Sequence, residues 1–182
     1  MGLDLNGTTV TKNGNNLEIA NGGAAALKFD NTGRFIRSGT HPLFYASNTG
    51  SGWVGRTVGY QTYPFNSTEI NQNSCFNTST NRFTAPITGV YLFTANSYHY
   101  DSLNSYYHPL FSVNGSSAGR MPYATAFRMR AYNMVDSYSS DGQICQIYSL
   151  IAGDYVEYVQ YIGDGTIYYL PFALHFAGYL LG

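Results

Sequence analysis

The segment from Gly89 to Tyr100 places the strongest constraint on what this chain can fold into. Its residues alternate at the period of a β-strand, and one face carries Tyr91, Phe93 and Ala95. The residues of the opposite face are again largely apolar or aromatic: Val90, Leu92, Tyr98 and Tyr100. A strand of a monomeric sandwich has a polar outward face, so a strand with two apolar faces needs cover on both sides. The segment predicts a β-sandwich whose second cover could be another subunit.

Most of the chain reads as all-β, because β-branched and aromatic runs recur between turn signals. The runs at 144–150 and 154–162 flank the turn Ala152-Gly153 and predict an antiparallel hairpin. Gly163-Asp164-Gly165 then predicts a turn into a final segment that is nearly all apolar. We expect that segment to be buried at a symmetric interface, because an exposed apolar edge promotes aggregation.

The composition favours association with partners. Charged residues make up 10% of the 182 residues, whereas an average soluble protein has roughly 25%. The 18 Tyr and 11 Phe supply apolar faces, and Tyr is favoured where surfaces meet partners. A formal net charge of −1 gives no field that could gather nucleic-acid phosphates, so nucleic acid is excluded as a partner.

Two further classes of protein are excluded by short patterns. No run reaches the roughly 18 apolar residues of a membrane span, so we expect no membrane insertion. Cys75 and Cys145 have no CxxC motif and no His at ligand spacing, so a zinc site has no support. We expect both cysteines to be buried free thiols.

The composition changes near residue 40. All 18 Tyr and all 6 Pro lie at or beyond Pro42. Residues 1–40 instead repeat a short apolar couplet followed by an Asn- and Gly-rich turn, as in Leu17-Glu18-Ile19 before Asn21-Gly22-Gly23. Such strands are too short to build a core alone. This arm is either a disordered linker or a β-structured stalk in which three copies wind together and bury the couplets.

Two blocks beyond this break resemble the globular head domain of complement C1q, a tumour-necrosis-factor-like jelly roll. Residues 76–93 are similar to the family pattern F-x-x-x-T-G-x-F-x-x-P-x-x-G-x-Y-x-F, with Asn81 where the family usually has Gly. Residues 150–156 resemble L-x-x-G-D-x-V, and residues 176–181 resemble the closing F-x-G-[FY]-L-L strand.

Several matched residues have a structural reason to be there. Pro86 and Gly89 bracket the turn that begins a strand, and Gly178 permits close backbone approach. The resemblance implies a ten-stranded antiparallel jelly-roll sandwich over residues 41–182, with three copies packed around an axis lined by aromatic residues. We predict a homotrimer whose interface uses aromatic residues of these strands: Tyr91, Phe93, Tyr98, Tyr100, Tyr158, Tyr161, Phe176 and Tyr179.

The arm resembles the N-terminal segments of bacteriophage fibre and appendage proteins, especially over residues 17–30. The first four residues lack the basic and apolar regions of a signal peptide, which suits a virion protein assembled in a host cytoplasm. We therefore expect the arm to bind other virion proteins through its apolar couplets. The candidate attachment residues are Leu3, Leu5, Leu17, Ile19, Leu27 and Phe29.

The segment from Tyr98 to Tyr138 is the candidate receptor-binding region, because it combines Tyr and Arg where loops are expected. Tyr stacks and Arg forms bidentate hydrogen bonds, which suits binding of a host glycan or protein. The same residues could equally be strand faces buried between subunits. The candidates are Tyr106, Tyr107, His108, Arg120, Tyr123, Arg128 and Arg130.

No motif for catalysis is present. There is no Gly-x-Ser-x-Gly elbow or phosphate loop and the acids are scattered singly, so we expect neither an enzyme nor a bound cofactor. His99 and His175 fall in apolar strands, where satisfied core or interface histidines are expected. Residues 136–142 lack two ligands of a calcium loop and are interpreted as a turn. A calcium ion near a trimer apex would draw on the carboxylates of Asp101, Asp136, Asp141 and Asp164.

These patterns together predict a bacteriophage virion protein, a trimeric tail-fibre or appendage head that recognises the host surface. A capsid decoration protein built from the same trimer is the alternative. A glycan depolymerase is a second alternative, because a pair of catalytic carboxylates can be hidden among scattered acids.

Overall fold

The computed structural model divides the chain into two compact units, Met1–His41 and Pro42–Gly182. It describes the backbone of residues 3–5, 8–14, 16–21, 24–29, 31–36, 41–101, 106–115, 129–130 and 139–182. Side chains are described at 8–12, 14, 17–20, 29, 31–34, 41–100, 107–115, 142–163 and 165–182. Within these ranges, no helix is long and apolar enough to span a bilayer.

The first unit is an antiparallel meander in which each apolar couplet forms a strand. Its five strands pair in sequence order. They are β1 (Leu3–Leu5), β2 (Thr8–Asn13), β3 (Asn16–Asn21), β4 (Ala24–Phe29) and β5 (Phe35–Ile36). Gly14 and Gly33 adopt positive φ angles of 62° and 79° between strands, which glycine tolerates without strain. The arm is therefore β-structured, as the alternation predicts.

The second unit is an antiparallel jelly-roll sandwich, which confirms the predicted fold class. Its described residues form eleven strands and one turn of 3-10 helix. The early strands are β6 (Leu43–Ser47), β7 (Val54–Thr62), β8 (Ser67–Gln72), β9 (Phe76–Asn77) and β10 (Arg82–Thr84). The later ones are β11 (Gly89–Asp101), β12 (Tyr106–Val113), β13 (Met129–Arg130), β14 (Ser139–Leu150), β15 (Tyr155–Tyr169) and β16 (His175–Leu180), with the 3-10 turn at Pro171–Ala173.

Two sheets pack face to face and join at one corner. The first sheet has the order β14-β11-β16-β6-β8. In the second, β15 lies between β12 on one side and β10 followed by β7 on the other. The last residues of β11 pair with the end of β15, from His99 opposite Tyr169 to Asp101 opposite Ile167. This pairing joins the two sheets.

The predicted hairpin of residues 144–162 is wrong. β14 pairs with β11 in the first sheet, whereas β15 pairs with β12 in the second. The turn between them carries the chain across the sandwich, and the Gly153 N–H donates to the Ala85 carbonyl at 2.8 Å. The two strands therefore face each other across the core from opposite sheets, and each buries one face there.

The predicted turn at Gly163-Asp164-Gly165 is also absent. β15 runs through this segment to Tyr169, and its pairing with β7 shifts register between Ile162 and Thr166. Gly165 has a φ of +66°, in the left-handed region. The glycines therefore form a bulge within one long strand and do not end it.

The core is packed with aromatic side chains from both sheets. Alternate residues of β11 point inward, and Tyr91 and Phe93 are 0% exposed. The Phe44 ring stacks on Phe76 and meets Phe176 edge-on, each at 4.8 Å between centroids. Gly178 makes this packing possible, because a Cβ there would lie 2.5 Å from Cδ1 of Phe93. The predicted role of Gly178 in close approach is confirmed.

Four of the predicted interface residues belong to this core. Tyr91, Phe93, Tyr158 and Phe176 are each 0% exposed within a single chain. A side chain that is fully enclosed by its own sandwich cannot contact a second subunit, so the interface prediction for these four residues is wrong. Their aromatic character reflects the thickness of the core that they fill.

Candidate binding surfaces

The outward face of the first sheet carries apolar and aromatic side chains on four adjacent strands, with one polar row of Gln143, Asn96 and His175 between Thr94 and Tyr98. Cross-strand pairing aligns Ile147 with Leu92, Leu92 with Tyr179, and Tyr179 with Leu43. In a second row, Cys145 pairs with Thr94, Thr94 pairs with Ala177 of β16, and Ala177 pairs with Tyr45. We call this surface the contact face. Its members are Leu43, Tyr45, Val90, Leu92, Thr94, Tyr98, Tyr100, Cys145, Ile147 and Tyr179.

The contact face leaves large apolar side chains open to solvent in a single chain. Ile147 is 59% exposed and Val90 is 38% exposed. Monomeric soluble proteins rarely expose a contiguous apolar patch of more than a few hundred Å². A face of this kind, spanning four adjacent strands, is typical of a surface that binds another protein or subunit.

An aromatic corner forms one end of the contact face. The Trp53 ring lies 5.9 Å from Tyr98 and 5.5 Å from Tyr100 between centroids, and Tyr100 lies 6.3 Å from Tyr168. Trp53 is 46% exposed. Trp53 has no counterpart in the sequence prediction, because it lies outside the segments that resemble known patterns. The corner places the predicted interface residues Tyr98 and Tyr100 beside an exposed indole.

Tyr161 lies on the other side of the sandwich from the contact face. Its ring contacts Tyr60 of β7 at 4.7 Å between centroids, and His108 of β12 lies 6.1 Å away. All three belong to one cross-strand row, since Tyr161 pairs with Tyr60 and with His108. Of the predicted interface residues, only Tyr98, Tyr100 and Tyr179 share the contact face.

A small cavity opens on the outward face of the second sheet, where β15 changes its neighbour. β10 pairs with β15 at Arg82 opposite Glu157, and β7 takes over at Thr62 opposite Val159. The cavity has a volume of about 150 Å³. We call it the notch. Its described lining consists of Tyr60, Gln61, Thr62, Ser112, Gly115, Glu157 and Val159.

The notch contains one carboxylate, and that carboxylate is paired. Arg82 Nε lies 3.1 Å from Glu157 Oε1, and the side chain of Glu157 is only 10% exposed. The Arg82 guanidinium lies over the Tyr155 ring at 4.2 Å from its centroid. The pair is therefore fixed in position, and it leaves the notch close to electrically neutral.

A network of polar side chains lies inside the sandwich. The Tyr63 hydroxyl lies 2.5 Å from His99 Nε2, and the hydroxyls of Ser97 and Tyr158 lie 2.7 Å apart. Burial lowers the pKa of His99 to about 3 and raises the pKa values of Tyr63 and Tyr158. His99 is therefore a neutral core histidine, as predicted.

His175 has the predicted character of a satisfied histidine, whereas His99 Nδ1 has no hydrogen-bond partner among the described residues. Nδ1 of His175 lies 2.6 Å from the Tyr45 hydroxyl on the contact face. The two cysteines differ from each other. Cys75 is buried, and burial raises its pKa to about 11, whereas Cys145 is exposed on the contact face. The prediction of a buried thiol is confirmed for Cys75 and wrong for Cys145 in a single chain.

Of the seven candidate receptor-binding residues, Tyr107 and His108 have described side chains. Tyr107 is 0% exposed and packs in a small cluster with Ile162 and Ile167, so its prediction as a receptor contact is wrong. His108 is half-buried beside Tyr161. The backbones of Tyr106 and Arg130 pair between β12 and β13. The remaining predictions lie outside the described residues: the side chains of Tyr106 and Arg130, and the whole of Arg120, Tyr123 and Arg128.

Sequence reasoning missed Tyr60, Ser112 and Glu157 as members of one site. Side chains of a strand alternate between its two faces, so Glu157 shares its outward face with Val159 and Tyr161. That alternation identifies one wall of the notch. No local signal in the sequence shows that the partner strand of β15 changes from β10 to β7 at this point.

Two other sets of candidates are only partly described. Among the attachment residues, Leu17 is 46% exposed, while Ile19 and Phe29 are half-buried. Leu3, Leu5 and Leu27 lie on β1 and β4, and their side chains are outside the described residues. The side chains of Asp101, Asp136, Asp141 and Asp164 are likewise not described. Where side chains are described, no group of three or more His, Cys, Asp or Glu could hold a metal ion.

The sandwich and its outward faces define a jelly-roll domain of the kind found in the heads of binding proteins. Residues 44–181 match the C1q domain family, and the chain belongs to that family. A comparison with curated proteins gave no significant match.

Several solved structures share this jelly-roll fold. The globular domain of the zebrafish complement 1qA protein is 19% identical, with a TM-score of 0.51 over 78% of this chain and 98% of that chain. Eiger TNF from S. frugiperda is 14% identical, with a TM-score of 0.56 over 79% and 94% of the two chains. Murine APRIL is 12% identical, with a TM-score of 0.51 over 78% and 99%.

Proposed function

We propose that this chain is a homotrimeric binding head that serves a bacteriophage virion as a host-attachment appendage. The observation that carries the proposal is the contact face of a C1q-family sandwich. That face is apolar or aromatic along the row from Ile147 through Leu92 and Tyr179 to Leu43. Domains of this family typically form homotrimers that bind ligands.

The exposure of the contact face supports a closed assembly. Ile147 at 59% exposure and Trp53 at 46% would lose contact with water in an interface, and each fully buried apolar side chain contributes roughly 1.5–3 kcal/mol. Rings of identical subunits close when one patch of each copy meets a different patch of the next. The row of the contact face and the Trp53 corner supply two such patches.

The arm supports attachment of the head to a larger particle. Its couplets form strands that leave Leu17 46% exposed. Leu17 pairs with Phe29 across β3 and β4, two of the five strands of a sheet that is too small to bury an apolar face of its own. Contact with other virion proteins or with two further arms would cover these residues. This agrees with the resemblance of residues 17–30 to bacteriophage appendage proteins.

Mass measurement tests the assembly. Sedimentation equilibrium of the full chain at micromolar concentration is expected to give three times the mass of 20.1 kDa. A stable monomer would refute the trimer. Deleting the gene from a phage that carries it tests the role: intact particles that no longer adsorb support attachment. Fragile particles with normal adsorption would instead identify a capsid decoration protein.

A further inference from the structure

The notch is the described feature best suited to hold a small ligand. Three strands, β7, β12 and β15, build it. It lies between Glu157 and Val159, where the partner strand of β15 changes from β10 to β7. Its volume of about 150 Å³ is below the roughly 300–1,000 Å³ of pockets for drug-sized ligands. The notch therefore suits one small ring that is part of a larger molecule.

Its rim presents a fixed aromatic platform. Tyr60 is 57% exposed, and its ring is held against Tyr161 at 4.7 Å between centroids. Val159 forms an apolar floor beside it and is 6% exposed. A ring already held by a neighbour loses little conformational freedom on binding. The negative face of such a ring attracts the polarised C–H groups of a sugar.

Its wall presents hydrogen-bonding groups that suit hydroxyls. One oxygen of Glu157, Oε1, accepts from Arg82, and the hydrogen bonds among the described residues leave Oε2 unused. Ser112 lies directly opposite Glu157 across the strand pair, and Thr62 lies opposite Val159. A carboxylate oxygen accepts hydrogen bonds, and a hydroxyl can donate or accept, so the pair matches adjacent hydroxyls of a sugar ring.

The charge of the notch selects against ions. Arg82 neutralises Glu157, and the other described lining residues are uncharged. A cation would have to displace Arg82, which is held over Tyr155 at 4.2 Å. An anion would meet the unused oxygen of Glu157. A neutral ligand with several hydroxyls avoids both costs.

We propose that the notch binds one neutral pyranose unit of a host-surface glycan, with Tyr60 stacked on the sugar ring and Glu157 and Ser112 bound to its hydroxyls. This inference rests on the proposed function of a binding head and names its ligand class and site. The notch and the contact face lie on opposite outer faces of the sandwich. Three notches therefore stay open in the trimer, and linked sites raise avidity even when each binds weakly.

Saturation-transfer NMR on the full chain tests this proposal. The probes are the methyl glycosides of glucose, galactose, mannose and N-acetylglucosamine, with N-acetylneuraminic acid as a charged comparison. We expect at least one neutral glycoside to bind, and we expect Tyr60→Ala and Ser112→Ala each to weaken it at least tenfold. Phe172→Ala is the matched control, because Phe172 is also 57% exposed and lies outside the described lining of the notch.

The outcomes separate this inference from the proposed function. Absence of binding by every neutral glycoside, preferential binding of the charged sugar, or unchanged binding in Tyr60→Ala would overturn the inference. Sedimentation equilibrium on the same samples measures the oligomeric state. A trimer without sugar binding refutes only the notch, whereas a monomer that binds sugar refutes only the assembly, because each notch is built from one chain. Thermal melting of each variant identifies loss of binding that is due to unfolding, and Glu157→Gln then serves as a third, independent variant.

Discussion

The Tyr63 hydroxyl and His99 Nε2 lie 2.5 Å apart in the interior of the sandwich. His99 is 1% exposed, and its other ring nitrogen, Nδ1, has no hydrogen-bond partner among the described residues. Arg56, which lies over the Tyr63 ring at 5.3 Å, further disfavours a charged imidazole. The head therefore buries a histidine that stays neutral.

This neutral histidine predicts sensitivity to acid. The unfolded chain protonates His99 near pH 6.5, whereas the folded chain holds its pKa at about 3. The unfolded state thus binds more protons within this window, and stability falls as the pH falls from 6.5 towards 3. The slope for one group is about 1.4 kcal/mol per pH unit at most. Urea unfolding of the head at pH 6.5 and pH 5 measures it.

Two variants distinguish the contribution of His99 to this pH dependence from that of Tyr63. His99→Gln removes the titrating group, so its stability should change less between pH 6.5 and pH 5 than that of the wild type. Tyr63→Phe keeps His99 buried and should keep the slope while lowering overall stability. Equal slopes in wild type and His99→Gln would contradict the assignment.

Gly178→Ala should destabilise the head strongly. The new methyl group would lie 2.5 Å from Phe93 Cδ1 and 2.8 Å from Phe44 Cε1, so both rings of the core must move. Overpacking of this kind costs about 1–3 kcal/mol. Gly182→Ala is the control, since an added Cβ there meets nothing within 4 Å. Comparable unfolding midpoints for the two variants would show that the core accommodates the methyl group.

Ile147→Asp should dissociate the trimer without unfolding the head. Ile147 is 59% exposed in a single chain, so a charge is tolerated there, but an interface would bury it without a partner. Val58→Asp is the control, because Val58 is 56% exposed and lies on β7 of the second sheet. Light scattering measures the mass and circular dichroism the fold. A trimeric Ile147→Asp variant would place the interface elsewhere.

Thiol labelling should map the same surface. Cys145 lies beside Thr94 on the contact face and is exposed in a single chain, whereas Cys75 is buried with its pKa raised to about 11. In the trimer we expect maleimide to label Cys145 slowly, and in Ile147→Asp to label it rapidly. Cys75 should react only in denaturant. Rapid labelling of Cys145 in an intact trimer would exclude it from the interface.

Removal of residues 1–41 should leave a folded head that cannot join the particle. The described core of the sandwich consists of residues from Phe44 onward, so the unit of residues 42–182 keeps its core. Circular dichroism and sedimentation of the truncated chain measure its fold and assembly. Its incorporation into phage particles is measured by immunoblotting of purified virions. A truncated head that still joins the particle would refute the anchoring role of the arm.

The sequence was most informative where a local pattern has one structural solution. Alternation fixes which residues of β11 share a face, so the inward Tyr91 and Phe93 are separable from the outward Val90 and Leu92. Asn81 stands where the family usually has Gly, and it adopts the required positive φ of 58°. Its side-chain oxygen also accepts a hydrogen bond from the Phe65 N–H at 2.6 Å. Asn is among the few residues that tolerate this backbone.

Long-range pairing is what the sequence could not supply. Strands β14 and β15 look like a hairpin because a tight turn joins two apolar runs, but whether such a turn returns in one sheet or crosses to another depends on distant partners. Likewise, alternation shows that Phe93 and Leu92 lie on opposite faces, and not which face is the core. The notch has the same origin, since Tyr60 reaches Tyr161 across about a hundred residues of chain.

The position of β16 has a consequence for the order of events in the cell. His175–Leu180 lies between β11 and β6, and it pairs with Tyr91–Asn96 on one side and Leu43–Ser47 on the other. The first sheet thus has a gap at its centre until the ribosome has released residue 180. Folding of the head therefore cannot finish before residues 175–180 have left the ribosome, and until then the edges of β11 and β6 that face β16 stay unpaired and open to wrong partners.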